Sequence, residues 1–565
     1  MSLSRRDLLK VGATAGAAAV LPWGRIAYSK DPERMATSRM PAPFTLPFRV
    51  PPVLGPSGYS DLACPDGQRR SYPVLDVVQT FGVAEIMPGY RTPVFGYNGS
   101  VPGPTVRVQR GQPVLFRQTN LLHVPPPSWP TAPMPSKYTN DPRQRTTSTH
   151  LHGSASLPQY DGYASDVTYP GQTKTYFYPN SQEARTLWYH DHAVHHTARN
   201  VYNGLAGMYV LHDGQEQALQ LPQGRYDVPL VIGDAMFATD GQLLFDDNSD
   251  SGLFGDVLLV NGVPWPEMVV ERRRYRFRFL NASISRSYEW SLHDGRSTVP
   301  MQVIATDGGL MQQPAQVASF RHAMAERFEV VVDFSRFRDD TLLTLRNGSA
   351  DNNIDYDTTE YAMRFRVRGD ATSTENNAVP GERGEVTVHE CMTWTEAGLK
   401  NQGVRERTFE FIRKHGSWTI DGKTWQDVVD SGYTFCLAKP DAGSIEIWDF
   451  RNSSGGWFHP VHVHLVDFQV LSRTDTDDGT SLPVHPYEQG PKDVVYLAEN
   501  QSVRVAMRFA GPPAGQGWPA PQGRYMMHCH NLVHEDHDMM MQFNVGDPDY
   551  AAELDPIGAV RPVDL

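Results

Sequence analysis

A run of possible metal ligands lies near the C-terminus, where the chain reads His528-Cys529-His530 and continues to His534 and Met539. Alternate side chains of an extended strand point to opposite faces, so His528 and His530 would lie on one face and Cys529 on the other. A thiolate combined with imidazole favours copper, and a weak axial methionine is typical of electron-transfer copper. The stretch therefore predicts two metal sites, one on each face of the same strand, and each needs ligands from elsewhere in the chain.

Three more His-x-His pairs can supply these ligands. They are His150 with His152, His190 with His192, and His462 with His464, and His459 lies just before the last pair. A single pair of this kind is commonly a surface or core feature, but four pairs in one chain favour a metal function. Zinc is the plain alternative, yet eight imidazoles exceed what one four-coordinate zinc needs. Zinc also has no redox chemistry and gives Cys529 and Met539 no purpose.

The elements that must position these ligands read as β-strands in three repeats. The turn-forming dipeptides Asn98-Gly99, Asn261-Gly262 and Asp421-Gly422 are 163 and 160 residues apart, and strand-like alternation follows each of them. The pattern predicts three similar β-domains in tandem, at residues 41–220, 225–370 and 385–547. The middle domain holds only His293 and His322, which are unpaired, and is predicted to be a spacer between the other two.

Charge limits the possible partners. The formal net charge is -13, from 51 basic and 64 acidic residues, which argues against nucleic acid or an anionic membrane as a partner. Arginines do alternate with aromatic residues from Arg272 to Phe279, but this alternation is better explained as a solvated strand face over a core face.

The N-terminus, residues 1–30, is predicted to be a twin-arginine export signal. Arg5-Arg6 precedes a mild apolar run, Val11 to Leu21, which is too short to span a bilayer. We therefore expect a periplasmic or extracellular protein with no membrane segment after signal removal. In such an oxidising compartment Cys64, Cys391 and Cys436 are enough for one disulfide, whose pairing the sequence cannot choose.

The sequence resembles the multicopper oxidases, in particular bilirubin oxidases and spore-coat-type bacterial laccases. The resemblance rests on Gly456 to Phe468, on Lys492-Asp493-Val494-Val495 and on His528 to Met541. It implies three tandem cupredoxin-like Greek-key β-barrels, an all-β fold, and four copper ions. It also implies a type 1 copper bound by His459, Cys529 and His534 with Met539 axial. The implied trinuclear cluster has a type 2 ion on His150 and His462 and a type 3 pair on His152, His190 and His530 and on His192, His464 and His528.

The resemblance further implies an oxidase that takes single electrons from a small-molecule substrate at type 1 copper and reduces dioxygen to water at the cluster. Electrons would pass from Cys529 to His528 and His530. Glu535 and Asp161 match acidic positions that deliver protons, although each could also be a turn carboxylate. Trp457 matches a tryptophan beside type 1 copper that either tunes the metal and touches substrate or only packs the site.

Three functions stay open at this point. The first is oxidation of phenols, aromatic amines or bilirubin-like tetrapyrroles by a monomeric enzyme. The second is oxidation of cuprous or other metal ions, which the scattered methionines outside Met539, Met540 and Met541 do not favour. The third is a copper-free structural cupredoxin, but relatives of that kind have lost ligands and this chain keeps them all. The sequence does not identify the physiological substrate.

Overall fold

A computed structural model of the protein describes residues 33–122, 145–249, 251–348, 353–510 and 518–547. The export signal predicted at residues 1–30 lies outside this part of the chain. The described residues form six β-sheets and a few short α-helices. These helices are Thr197–Tyr202, Gly214–Ala218, Glu396–Asn401, Trp425–Asp430 and Leu532–Asp536. None of the described helices is long and apolar enough to cross a membrane.

The first pair of sheets packs around a core rich in tyrosine, which includes Tyr97, Tyr178 and Tyr189. Its sheets have the strand orders β1-β5-β10-β9-β7 and β2-β3-β6-β8, with β4 added to β3. The strands are β1 Val53–Leu54, β2 Gly58–Ala63, β3 Arg69–Ala84, β4 Thr92–Tyr97, β5 Gly103–Gln109, β6 Val114–Asn120, β7 Thr149–His152, β8 Thr173–Tyr178, β9 Arg185–Asp191 and β10 Ala206–His212.

The second pair of sheets has the orders β13-β12-β11-β15-β21-β18-β19 and β14-β23-β22-β16-β17, with β20 added to β16. Phe277, Trp290 and Phe365 belong to the core between them. The strands are β11 Asp227–Ala235, β12 Val257–Val260, β13 Val263–Pro264, β14 Glu267–Arg272, β15 Arg274–Asn281, β16 Tyr288–His293, β17 Thr298–Val299, β18 Met301–Thr306, β19 Gly309–Val317, β20 Ser319–His322, β21 Arg327–Asp333, β22 Leu342–Gly348 and β23 Tyr361–Asp370.

The third pair of sheets has the orders β25-β24-β26-β31-β28-β29 and β30-β27-β32-β33. Trp448, Val461 and Phe543 lie in its core. The strands are β24 Arg405–Lys414, β25 Ser417–Ile420, β26 Ile445–Asn452, β27 His459–Val463, β28 Phe468–Asp475, β29 Ser481–Leu482, β30 Val494–Leu497, β31 Gln501–Arg508, β32 Gly523–Cys529 and β33 Met540–Val545.

The three repeats share the turn that the sequence pattern indicates. Asn98, Asn261 and Asp421 adopt φ of 53°, 51° and 53°, and the glycine after each also has positive φ, as such turns require. In each repeat the same side-chain oxygen accepts a hydrogen bond from a backbone N–H of a neighbouring strand, namely Val78, Val231 and Glu410. The repeats therefore share a structural device as well as a turn sequence.

The arginines of β15 do not form a solvated face, so that prediction was wrong. Arg276 and Arg278 are 2% and 0% exposed. Both guanidinium groups pair with buried Glu216 and Glu329, and Arg278 also binds Asp227. Because Glu216 follows the first pair of sheets in the chain, this ion network lies between the first and second pairs. The alternation of side chains along a strand does not show whether its polar face contacts water or a neighbouring domain.

The cysteines also differ from expectation. No disulfide forms among Cys64, Cys391 and Cys436. The Cys64 sulfur lies 3.1 Å from the Tyr72 hydroxyl, and the Cys391 sulfur lies 3.1 Å from Nδ1 of His389. Cys64 and Cys391 are thus separate buried thiols, and Cys436 is half-buried.

Candidate metal centre

Cys529, His459 and His534 meet at one point in the third pair of sheets, and with Met539 we call them the single-ion site. The Cys529 sulfur lies 3.3 Å from Nδ1 of His459 and 3.6 Å from Nδ1 of His534, and the two nitrogens are 3.3 Å apart. β27 and β32 are neighbours, and the helix Leu532–Asp536 returns His534 to the end of β32. All three side chains are buried.

The imidazole of His459 is fixed by its outer nitrogen. The Ser454 hydroxyl donates to the carbonyl of Phe411 and lies 2.8 Å from Nε2 of His459, so it accepts from that N–H. This tautomer leaves the lone pair of Nδ1 pointing at Cys529 and His534. Burial also lowers the pKa of His459 to about 3, so the ring is uncharged at neutral pH and its Nδ1 lone pair is available to a metal ion.

Met539 is buried in the same core as Cys529. Its backbone N–H donates to the carbonyl of His534 at 3.0 Å, and its carbonyl accepts from the N–H of Cys529 at 3.2 Å. These two bonds hold the methionine to the single-ion site from both sides.

The eight histidines of the four pairs form one buried group, which we call the histidine cluster. It consists of His150, His152, His190, His192, His462, His464, His528 and His530. Half come from β7, β9 and the residue after β9, and half come from β27, β32 and the residues after them. The ring of His150 stacks on that of His464 with centroids 4.0 Å apart, and His152 stacks on His462 at 3.7 Å. The cluster therefore closes across the boundary between the first and third pairs of sheets.

Most rings of the cluster are anchored through one nitrogen to an oxygen outside the cluster. These contacts are His150 Nδ1 to the Asp161 carbonyl at 2.5 Å, His190 Nδ1 to the Asp191 carbonyl at 2.7 Å, His462 Nδ1 to the Asp493 carbonyl at 2.8 Å, His464 Nδ1 to Asp161 Oδ2 at 2.7 Å, His528 Nδ1 to Glu535 Oε2 at 2.9 Å and His152 Nε2 to Asp493 Oδ1 at 3.1 Å. Such contacts fix both the tautomer and the orientation of a ligand ring.

The other nitrogens point inward and fit a bound cation. Nε2 of His150, His190 and His462 is buried with no hydrogen-bond partner in the described chain. Nε2 of His528 lies 3.2 Å from Nε2 of both His192 and His464. Since His464 and His528 carry their proton on the anchored Nδ1, these facing nitrogens are acceptors and need a positive charge between them. Burial lowers the pKa of His150, His152, His190, His462, His464 and His530 well below the usual value, which keeps lone pairs available.

Comparison with known proteins gives the family. Multicopper oxidase profiles match residues 136–216, 227–369 and 410–549. The chain is 38% identical over 530 residues to a bilirubin oxidase of Albifimbria verrucaria, covering 90% of this chain and 82% of that one. The chain belongs to the multicopper oxidase family. A laccase of Bacillus subtilis is 32% identical, with 81% of this chain and 91% of that one covered. The crystal structure of the multicopper oxidase McoA from Aquifex aeolicus superposes with a TM-score of 0.71 at 27% identity, covering 89% of this chain and all of that one.

This multicopper oxidase is thus a copper-dependent enzyme that couples substrate oxidation to dioxygen reduction. Its all-β fold of cupredoxin-like domains agrees with the expectation from sequence. Soft sulfur with imidazole at the single-ion site, and imidazole nitrogens at the histidine cluster, are donor sets that suit copper.

Two acidic residues singled out from the sequence lie against the cluster. Asp161 contacts both His150 and His464, and Glu535 contacts His528 and lies 3.6 Å from Nδ1 of His192. Burial raises the pKa of Asp161 well above its usual value. Burial would also raise the pKa of Glu535, but the neighbouring His528 and His192 outweigh it and lower that pKa.

Asp493 is a third carboxylate at the cluster, and sequence reasoning quoted it without a role. Its backbone carbonyl holds His462 and its side chain holds His152, so one residue orients imidazoles from both halves of the cluster. Burial raises its pKa to about 6 although Arg327 opposes that shift. Its place in the stretch Lys492-Asp493-Val494-Val495 was the available signal.

Arg327 shows that the second pair of sheets is more than a spacer. Its guanidinium donates to both oxygens of Asp493 at 2.6 and 2.5 Å, and its Nε donates to the carbonyl of Thr186 in β9 at 2.9 Å. One side chain from β21 therefore reaches the other two pairs of sheets behind the cluster. No sequence motif indicated this arginine.

Tryptophans flank both sites. Trp457 is half-buried, and its ring centroid lies 6.0 Å from that of His534. Buried Trp418, which sequence reasoning missed, stacks on His534 at 4.0 Å and meets Trp457 edge-on at 5.3 Å. Trp188, two residues before His190, stacks on that imidazole with ring centroids 4.0 Å apart. His195 lies outside the histidine cluster, and its Nδ1 contacts the carbonyl of Asp536 at 3.0 Å.

Proposed function

We propose that this enzyme holds four copper ions and transfers four electrons, one at a time, from phenolic, aromatic amine or bilirubin-like substrates to dioxygen, forming water. One ion would be held at the single-ion site and three at the histidine cluster, with type 2 on His150 and His462 and the type 3 pair on the remaining six histidines. The observation that carries the proposal is that one chain segment, at the end of β32, supplies ligands to both sites. Cys529 of the single-ion site is covalently joined to His528 and His530 of the cluster.

Copper at these positions would supply one-electron redox chemistry, which the amino acids of the two sites lack. The chain's own residues do the rest. Asp161 Oδ2 and Glu535 Oε2 accept hydrogen bonds from Nδ1–H of His464 and His528 at two separate walls of the cluster, where these carboxyl groups would pass protons to it, and burial keeps bulk water from competing with them. Asp493 and Ser454 keep the ligand rings in the tautomer that presents a lone pair.

Substrate contact is proposed at Trp457. This indole is only partly buried beside His534, and flat aromatic substrates suit such a face. The bilirubin oxidase and laccases among the relatives support this substrate class. The buried positions of Met539, Met540 and Met541 give no exposed methionine surface for metal-ion substrates there. Oxygen uptake measured with a phenol, an aromatic amine, bilirubin and cuprous ion ranks the two candidates, and fastest turnover of cuprous ion would reject the organic substrate class.

The ligand assignment is tested at Cys529. Cys529→Ser is expected to remove the intense visible thiolate-to-copper absorption together with oxygen uptake, because a hydroxyl cannot replace the thiolate. Cys436→Ser, at a half-buried cysteine of the third repeat outside the two sites, is the matched control and keeps both signals. A Cys529→Ser protein that stays blue would contradict the assignment.

We also propose export through the twin-arginine route, with action as a monomer outside the cytoplasm. Arg5-Arg6 before the short apolar run supports this. Replacement of both arginines by lysine is expected to retain the protein in the cytoplasmic fraction of a bacterial host, and unchanged export would reject the route. Light scattering of the purified enzyme gives its oligomeric state.

A further inference from the structure

An apolar cavity of about 80 Å³, partly open to solvent, lies between the first and second pairs of sheets. Its walls come from β4, from the helix Thr197–Tyr202, from β10, β11 and β12, and from the residues after β15. Aliphatic side chains line most of it, including Val94, Val201, Ala206, Val231, Leu259 and Ile284.

The cavity lies one side chain away from the histidine cluster. Ala206 of β10 is the direct cross-strand partner of His190 in β9, and Met208 is the partner of Trp188. Directly opposed residues of an antiparallel pair project from the same face of the sheet, so the Ala206 methyl lies beside the His190 imidazole. Trp188 stacks on that imidazole, and one continuous apolar cluster contains Trp188, Ala206 and Ile284.

Most polar groups of the cavity wall are occupied elsewhere. The Ser283 hydroxyl pairs with the Tyr288 hydroxyl, and the Asn203 amide donates to the carbonyl of Arg199. Asp234 binds Arg286 through Oδ2, while its Oδ1 has no hydrogen-bond partner in the described chain. The remaining walls offer water few partners, and cavities of this kind take up small apolar molecules such as xenon.

We infer that this cavity is a binding site for dioxygen on its way to the histidine cluster. Dioxygen is small and apolar, it is consumed by this enzyme, and the cavity offers it an apolar volume in contact with the ligand strand. The inference rests on the proposed function in one respect, namely that dioxygen reacts at the histidine cluster. The route runs from Ala206 past the edge of Trp188 to His190.

Gly233 in β11 offers a clean way to fill the cavity. It lines the space, and a Cβ built on it meets no atom within 4 Å. Its φ lies outside the left-handed region, so valine fits the strand without backbone strain. Gly58 in β2 is the matched control, since it also lies in a strand, has an ordinary φ and has open space at its Cβ, but it is exposed and does not line the cavity.

Two measurements on the full exported chain test the inference. Xenon binding, followed by ¹²⁹Xe NMR or by anomalous scattering from pressurised crystals, is read on both copper-free and copper-loaded protein. We expect xenon in wild type and in Gly58→Val, and its loss in Gly233→Val. On loaded enzyme, Gly233→Val should raise KM for dioxygen severalfold and leave kcat and KM for the reducing substrate unchanged. Gly233→Ala should raise KM for dioxygen by a smaller factor. It replaces the valine variant in this test if the valine variant does not fold.

The outcomes separate the two ideas. Absence of xenon from the wild-type cavity overturns the inference, as does loss of xenon in Gly233→Val with KM for dioxygen unchanged. If loaded wild-type enzyme consumed no dioxygen, the proposed function would fail while xenon binding still reported on the cavity.

Discussion

At the scale of single residues, the two sites depend on hydrogen bonds that lie behind the ligands. Each anchored imidazole keeps one nitrogen free because the other donates to a fixed oxygen, as His459 does to Ser454 and His464 does to Asp161. The pattern explains why buried carboxylates surround the histidine cluster: they accept hydrogen bonds from ligand rings and would offset the charge of bound cations.

Trp418 gives a test of the apolar wall at the single-ion site. Trp418→Ala removes the indole stacked on His534 and leaves a cavity beside the buried Cys529. Such a truncation costs about 3–5 kcal/mol of stability. Water admitted beside the thiolate should lower the reduction potential of the single-ion site, since that potential depends on the hydrophobicity around the sulfur. Potentiometric titration of the blue absorption measures it.

Trp418→Phe is the control, because phenylalanine keeps an apolar ring over His534. It should retain most of the wild-type potential. An alanine variant that folds, stays blue and has an unchanged potential would show that Trp418 only fills space.

At the scale of elements, the ligand pairs are arranged by neighbouring strands. His150 lies opposite His190 in the β7–β9 pair, and His462 lies opposite His528 in the β27–β32 pair. In each strand pair the two histidines therefore lie directly opposite each other across the strands. The two strand pairs face each other across the cluster. β21 of the second pair of sheets supports both through Arg327.

Arg327→Lys tests that support. Lysine keeps the charge but cannot make the two parallel bonds to Asp493, so His152 and His462 lose part of their fixed orientation. Loss of such an outer contact typically costs roughly 10- to 100-fold in metal affinity or activity. We expect oxygen turnover and the copper content of the histidine cluster to fall, while the blue absorption of the single-ion site remains.

Arg366→Lys is the matched control, since Arg366 is an arginine of the same pair of sheets that binds Glu267 at 2.7 Å, away from the cluster. It should leave turnover and copper content unchanged. Loss of the blue absorption together with turnover in Arg327→Lys would indicate a general folding defect and contradict a local role.

Across the whole chain, local sequence patterns predicted the metal ligands and the repeats but not the contacts between distant segments. The ligands were visible because His-x-His spacing and strand periodicity are local, and the repeats were visible because Asn98, Asn261 and Asp421 recur with their glycines. Arg327 and Trp418 were hidden because their partners lie 166 and 116 residues away, and nothing in the local sequence marks such a contact. The buried arginines of β15 were misassigned for the same reason: their carboxylates come from other segments.

The boundary between the first and third pairs of sheets carries a further ion pair, and its titration predicts how the molecule responds to acid. Arg185 of β9 donates to Asp467, just before β28, at 2.6 Å, and His389 lies 3.1 Å from the other oxygen. Burial would raise the pKa of Asp467, but Arg185 and His389 outweigh it and hold that pKa below the usual range. A carboxylate with a lowered folded-state pKa contributes stability above its unfolded pKa, about 4, and that contribution is lost as the pH falls further.

Asp467→Asn should therefore lower the thermal unfolding midpoint at pH 7, by an amount that corresponds to about 3 kcal/mol, because Arg185 is left buried without its main partner. The gap between variant and wild type should shrink as the pH falls below about 4, since Asp467 of the unfolded chain then takes up a proton while Asp467 of the folded chain is still ionised. Scanning calorimetry of copper-free protein between neutral and acid pH measures both effects without the contribution of bound metal. Asp430→Asn, at an exposed aspartate of the same pair of sheets, is expected to match wild type throughout. A gap that stayed constant with pH would mean that Asp467 acts through packing, and the ion pair across the boundary would then contribute nothing to the closure of the histidine cluster.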